Sequence, residues 1–391
     1  MAGLAIAGAG APEQDTVRVG FMPLTDCAAL VMASVLGFDQ RYGIKIELRR
    51  EMSWSSVRDK LCDGALDAAH ALYGLVIGAH LGLGARQRDM AVLMGLSQNG
   101  QSITLSRRLA SRGAVDGHSL KALLAVADRR LTFAHTFPGG NHALLLNYWL
   151  AAHGIDPQHD VRLVTLPPSQ MAASLEAGHL DGFCAGEPWS ARAVQDSCGV
   201  TVATSAQVWR NHPGKVLGAG ASFVRRNPRT CIALVAAVLD AARWIEADEA
   251  HREAAAEVLA SPAFINAGQE LIAARLLGRY QDGLGRSWTD GDRLRLHREG
   301  EVNFPWLSDA MWFMTQQRRW GMLKADPDYL AVAGAINQVD LYREAADLSG
   351  TPVPAALMRS SVLMDGKTWD GSDPAGYAAS FGTGAISTAD L

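Results

Sequence analysis

A repeated switch of hydrophobic period runs through the first half of the chain. Residues 17–22 (VRVGFM) form a short apolar run, a Pro/Thr/Asp turn follows, and residues 27–36 make an apolar segment of helix length that stops at Gly37. Residues 44–48 return to the strand pattern, 54–62 to the helix pattern and 68–72 to the strand pattern. Strand and helix periods that alternate in this way predict an α/β fold with a mainly parallel sheet.

The pattern restarts after the polar stretch 106–116. Strand candidates lie at 131–134, 161–166 and 182–185, and helices are expected to follow them at 141–152, 170–177 and 188–196. From Arg229 onward the pattern is mostly helical and is expected to return to the first lobe. The resulting division is a discontinuous first lobe at 17–106 and 215–370 and a second lobe at 107–214. Two lobes joined by two crossings enclose a cleft, the usual place for a small ligand. Residues 1–16 and the Gly/Ala/Ser/Thr-rich stretch 371–391 are expected as tails.

Charge narrows the function classes. The 391 residues carry 36 Lys and Arg against 40 Asp and Glu, a formal charge of −4, with no basic block. Direct contact with nucleic acid or an anionic membrane therefore has no electrostatic basis, and the expected ligand is a small molecule. The longest apolar run, 231–239, is cut by Asp240 and Arg243 and falls short of the roughly 20 residues a membrane span needs. A buried helix is expected there. Five cysteines, odd in number and without C-x-x-C spacing, predict reduced thiols rather than a disulfide framework or a zinc site. Residues 1–11 lack the positive start and long apolar stretch of an export signal, so a cytoplasmic location is expected.

Six segments carry polar chemistry at strand ends or helix starts, each with a structural alternative. Trp54, in the SWSS run that opens a helix, either packs between helix and sheet or offers a flat cleft wall. Asn99-Gly100 marks a tight turn, and Gln101 and Ser102 directly after it add two neutral donors that a turn does not need. In TFPGGNH, Gly139 and Gly140 let the backbone approach whatever lies above the following helix, whose N-terminus attracts anions. His142 falls in its first turn, either as a structural histidine or as a ligand. Pro168 and Gly186 belong to two further strand–turn–helix junctions, LPPSQ and FCAGEPW. Cys184 in the second is expected to be an inert core residue. Lys215, in HPGK before the expected return crossing, is either solvated or enters the cleft from the hinge side. The glycine-rich loop is neither G-x-G-x-x-G nor a P-loop, which argues against a nucleotide cofactor.

Taken in order, MSWSSVRD at 52–59, NGQ at 99–101, TFPGGNH at 136–142, PPSQM at 167–171, FCAGEPW at 183–189 and HPGK at 212–215 resemble the nitrate- and bicarbonate-binding family of periplasmic-type solute-binding proteins. The resemblance runs over nearly the whole chain, through NFPWLSDAMWF at 303–313 and RRWG at 318–321. It implies a two-lobed type II periplasmic-binding-protein-like fold with an anion in the cleft between lobes, no catalytic residue, no metal and no cofactor. Carried over by position, it implies ligand contacts from Trp54, Gln101, Ser102, His142, Pro168, Ala185, Gly186 and Lys215. Ser102 stands where the family pattern has Gly, and Ala185 where it has Val.

Nitrate is planar, singly charged and never protonated at ordinary pH, so its site should offer donors and positive charge. Members that bind bicarbonate place an acidic residue at the Lys215 position, so Lys215 implies nitrate or nitrite. Leaderless members resemble cytosolic nitrate/nitrite sensors that hold an RNA-binding antiterminator, an ANTAR-type response regulator, when ligand is absent. Exported members feed an ABC permease. The expectation is the sensor, with the transporter-associated binding protein as the alternative. A pyrimidine-precursor synthase shares the fold but needs a Cys-rich, iron-liganding motif that this sequence does not carry.

Overall fold

The structure, a computed structural model, describes residues 10–381; the outer parts of the two expected tails, 1–9 and 382–391, lie outside it. Ten strands build two sheets: β1 Thr16–Phe21, β2 Lys45–Arg50, β3 Ala68–Ala71, β4 Met90–Gln98, β5 Gln101–Ser106, β6 Leu131–His135, β7 Val161–Thr165, β8 Gly182–Gly186, β9 Gly199–Thr204 and β10 Pro213–Gly220. Their order is β2-β1-β3-β10-β4 in one sheet and β7-β6-β8-β5-β9 in the other. In the first, β10 runs against both its neighbours; in the second, β5 does the same. The reversed strand in each sheet is thus the one that has just crossed from the other lobe. All other pairs are parallel, with helices as the return connections. This is the two-lobed α/β architecture of periplasmic binding proteins.

The expected edge of the second lobe at residue 107 comes too late. β5 already pairs with β8 and β9, so the crossing is the Asn99-Gly100 turn itself, where φ is +61° and +77°. Glycine at position 100 supplies the left-handed backbone at no steric cost. The return crossing ends at Pro213, two places before the expected 215. The first expected tail also holds ordered residues: the Glu13 carboxylate accepts from the backbone N–H groups of Arg229 and Thr230 at 3.2 and 2.8 Å. Those amides open the helix Pro228–Glu246, so Glu13 supplies a negative charge to a helix N-terminus. Within the second expected tail, Pro374–Ala379 is helical, and its Tyr377 ring lies 4.8 Å from Trp369.

Residues 231–239 are buried throughout, as expected, and their helix packs on Ala28–Val35 and Val339–Ser349. The C-terminal third does more than return to the first lobe. Thr201 N–H donates to the Asp282 carbonyl at 3.0 Å, Met364 N–H donates to Val208 at 2.9 Å, and Tyr148 O–H donates to Asp365 at 2.9 Å. This part of the chain straps both lobes.

The lobes meet closely. A Cβ on Gly74 would stand 2.0 Å from the Gly139 carbonyl oxygen, so only glycine lets the helix Tyr73–Leu81 approach the 136–140 loop. Beside it, Asn141 accepts from the Tyr73 N–H at 3.2 Å and donates to the Pro213 and Gly214 carbonyls at 2.8 and 2.9 Å. On the opposite side, Thr25 N–H donates to the Glu187 carbonyl at 2.8 Å and Trp189 Nε1–H to the Pro23 carbonyl at 3.1 Å.

Candidate functional site

Two helices start at the seam. Trp54 is the first residue of the helix Trp54–Asp63, whose entry is fixed by the Ser53 hydroxyl accepting from the Ser56 N–H at 3.1 Å. Its indole is buried, and Nε1–H has no hydrogen-bond partner among the described residues. His142 is the second residue of the helix Asn141–Ala152, approached through Gly139 and Gly140. A helix N-terminus presents unpaired N–H groups and a partial positive charge.

Lys215 lies on β10, wholly buried, with Nζ 5.9 Å from the Trp54 ring centroid. Its ammonium donates to Asp26 Oδ2 at 2.7 Å, and Asp26 is itself buried. The other Asp26 oxygen faces His70 Nε2 at 2.9 Å, while His70 Nδ1 accepts from the Met22 N–H at 3.3 Å. That second bond puts the ring hydrogen on Nε2, so a neutral His70 donates to Asp26. Burial penalises the Asp26 charge, but the Lys215 ammonium and His70 outweigh it and hold the carboxyl well below the usual range. Burial pushes His70 down, against the pull of Asp26. Lys215 therefore enters the seam paired rather than as a free charge. A carboxylate sits on it, and the group carries no net charge.

His142 Nδ1 is 2.6 Å from the Thr136 hydroxyl, and its Nε2 is buried without a partner among the described residues. Burial first, and the Lys215 charge second, hold this histidine well below its ordinary pKa, so it is neutral. A Cβ on Gly186 would stand 3.5 Å from His142 Nε2 and 3.3 Å from Leu24 Cδ2. Gly186 pairs with Gln101 in the β5–β8 ladder, and both ends of the buried Gln101 amide lack partners among the described residues. The structure thus links Trp54 with Lys215, His142 with Gly186, and Gly186 with Gln101.

Ser102, Ala185 and Pro168 are placed differently. The Ser102 hydroxyl donates to Glu187 Oε1 at 2.8 Å. Glu187 Oε2 accepts from the Ala191 N–H at 3.1 Å, and Arg275 Nε lies 3.2 Å from Oε1. The hydroxyl is therefore part of a buried structural network. The Ala185 methyl packs with Ala134 and Phe183 in the second lobe's core. Pro168 is buried where β7 ends and opens the turn Pro168–Gln170, on the sheet end that carries His142, without a bond joining it to the Lys215 group.

Four residues escaped the sequence reading. Asp26 sat unnoticed in a Pro/Thr/Asp segment that reads as an ordinary turn, and His70 in a strand of alanines. Thr25 and Ser190 have buried hydroxyls without partners among the described residues. Thr25 adjoins Asp26, and Ser190 follows the GEPW motif at a helix start, which was the available signal. Cys184 is the inert core residue expected: burial raises its thiol to about 12, so no thiolate is present at neutral pH. The arrangement offers donors, one charge-compensated ammonium and two helix starts in a water-excluded seam, which suits a small planar anion.

Known proteins share this architecture. The NMT1-like family model matches residues 10–260. The nitrate/nitrite-binding protein NrtA of Synechococcus elongatus (strain ATCC 33912 / PCC 7942 / FACHB-805) is 37% identical over 387 residues, covering 95% of this chain and 87% of NrtA. The nitrate import ATP-binding protein NrtC of Synechocystis sp. (strain ATCC 27184 / PCC 6803 / Kazusa) is 35% identical over 380 residues, and there the chain spans only 56% of the relative's length. The crystal structure of the periplasmic nitrate-binding protein NrtA from Synechocystis PCC 6803 superimposes with a TM-score of 0.91 at 31% identity, covering 96% of this chain and 100% of that one. With this family match and this two-lobed seam, the chain belongs to the NMT1-like family, among solute-binding proteins of the NrtA kind.

Proposed function

We propose that this protein binds nitrate or nitrite between its lobes and is a binding protein rather than an enzyme. The observation that carries this reading is the set of buried donors without partners among the described residues, Trp54 Nε1 and Gln101 Nε2, together with the buried His142 Nε2 and the Lys215 ammonium 5.9 Å from the Trp54 ring. A buried donor without an acceptor costs about 1–3 kcal/mol, and an anion with oxygen on every side relieves several such costs together. The names of the NrtA and NrtC relatives support the same ligand. Titration calorimetry with nitrate and nitrite tests the reading: saturable binding at one site per chain is expected, and its absence for both anions refutes it.

The proposed role is a cytoplasmic sensor that holds an RNA-binding antiterminator without ligand and releases it on anion binding. Linkage then requires the anion to weaken the partner complex by the factor with which the partner weakens anion binding. A second reading, delivery of nitrate to an ABC permease, is favoured by the import function named for NrtC. Pull-down of an ANTAR-type antiterminator from a nitrate-free extract, followed by its release with nitrate but not chloride, supports the sensor. Capture that is indifferent to nitrate, or no capture, supports delivery.

A further inference from the structure

We infer that Asp26 is a positioning residue for the anion site, a built-in competitor for Lys215 that fixes the direction of its ammonium and lowers the affinity at which an anion is held. The inference rests on the nitrate/nitrite reading above and adds the group that tunes it. Three observations carry it. Asp26 and Lys215 come from different segments, the Thr25–Cys27 turn and β10, and meet at 2.7 Å with neither side chain reached by solvent. The second Asp26 oxygen is held by His70 on β3 at 2.9 Å, so the carboxylate cannot swing away when an anion arrives. The same turn touches the second lobe through Thr25 N–H and the Glu187 carbonyl, so the Lys215 counter-charge stands on the segment against which the lobes close.

The consequence is electrostatic. A buried ammonium with no counter-charge would attract any anion strongly. With Asp26 in place, an incoming anion shares Lys215 with a carboxylate and gains less. Among the described residues, the groups whose charges couple to Lys215 are Asp26, His70, His142 on the helix Asn141–Ala152, His212 ahead of β10 and Cys184 on β8. Ser97 is the uncharged β4 neighbour of Lys215. Burial lowers the three histidines, and among the described residues Asp26 is the carboxylate that pairs with Lys215.

The test is calorimetry with sodium nitrate on the full chain at neutral pH, parent against Asp26→Asn, which keeps an acceptor for His70 and removes the charge. Asp26→Asn should bind nitrate at least tenfold more tightly than the parent, a gain that the loss of a merely structural contact would not produce. A folded Asp26→Asn variant with unchanged or weaker affinity overturns the inference alone, whereas a parent that binds neither nitrate nor nitrite overturns the binding reading with it. Should Asp26→Asn not fold, the pair Asp26→Asn/Lys215→Gln, which leaves neither charge stranded, decides. It should bind nitrate at least tenfold more tightly than Lys215→Gln, where the bare carboxylate repels the anion; equal affinities overturn the inference.

Discussion

His142 Nε2 lies 3.5 Å from the point at which a side chain on Gly186 would begin. The glycine therefore keeps the buried face of an unpartnered histidine nitrogen open, and a single methyl would cover it. Gly186→Ala should fold with a loss of no more than about 1 kcal/mol, since its nearest contacts are ordinary or slightly tight. Nitrate affinity should fall tenfold or more. Calorimetry beside thermal unfolding checks both halves, and an unchanged affinity would place the anion elsewhere.

Lys215→Ala removes the ammonium nearest Trp54 and strands the Asp26 carboxylate in the core. Nitrate binding should weaken by well over tenfold, in line with about 2–5 kcal/mol for truncating a buried charge pair. Unfolding stability should fall by about 3–5 kcal/mol at neutral pH, because one member of a buried ion pair is left alone. The exposed Lys121 provides the control. Lys121→Ala should change neither quantity, and equal behaviour of the two variants would contradict the placement of Lys215.

Ser102→Ala separates a ligand contact from a structural one. The hydroxyl is spent on Glu187, which also holds the Ala191 amide and faces Arg275. Its removal should cost about 1 kcal/mol of stability, the usual value of one hydrogen bond, and more in stability than in nitrate affinity. A large affinity loss at unchanged stability would return the hydroxyl to the anion.

Acid should destabilise the fold well above the carboxylate range. Burial lowers His135 to about 4 and His212 to about 3, and it lowers His142 and His70 as well. A histidine depressed in the folded state contributes stability that is present above its unfolded pKa and lost as pH falls below it. Between about pH 6.5 and 4 the unfolded chain thus binds more protons, and His135 and His212 alone should take up about two on unfolding at pH 5.5. Denaturant unfolding across that range measures the slope. A stability that does not change from pH 7.5 to 5 would contradict the buried neutral histidines.

Local pattern carried much of the fold. The helix Asn141–Ala152 begins where the Gly139-Gly140 pair admits it, and the expected bounds match. β5 was missed because QSITLS alternates small polar residues whose burial depends on partners far away: Ser102 finds Glu187, and the strand finds β8 and β9. β10, rich in glycine and carrying a lysine, reads as a hinge; only the Asp26 pairing makes Lys215 tolerable inside a central strand. Asp26 itself was invisible for the same reason, since nothing local distinguishes a turn aspartate from one that meets a lysine 189 positions away. Resemblance supplied positions, whereas the structure supplied partners: the Ser102 hydroxyl is spent on Glu187 and the Ala185 methyl belongs to the second lobe's core.

The central claim is that the seam between the lobes holds one nitrate or nitrite ion through Lys215, Trp54, Gln101 and His142. Calorimetric titration of the purified chain with nitrate, nitrite, bicarbonate and sulfate, each at the same ionic strength, tests it most directly. The account predicts saturable binding of nitrate or nitrite at one site per chain, and none of bicarbonate or sulfate. Binding of bicarbonate with no response to nitrate or nitrite would contradict it.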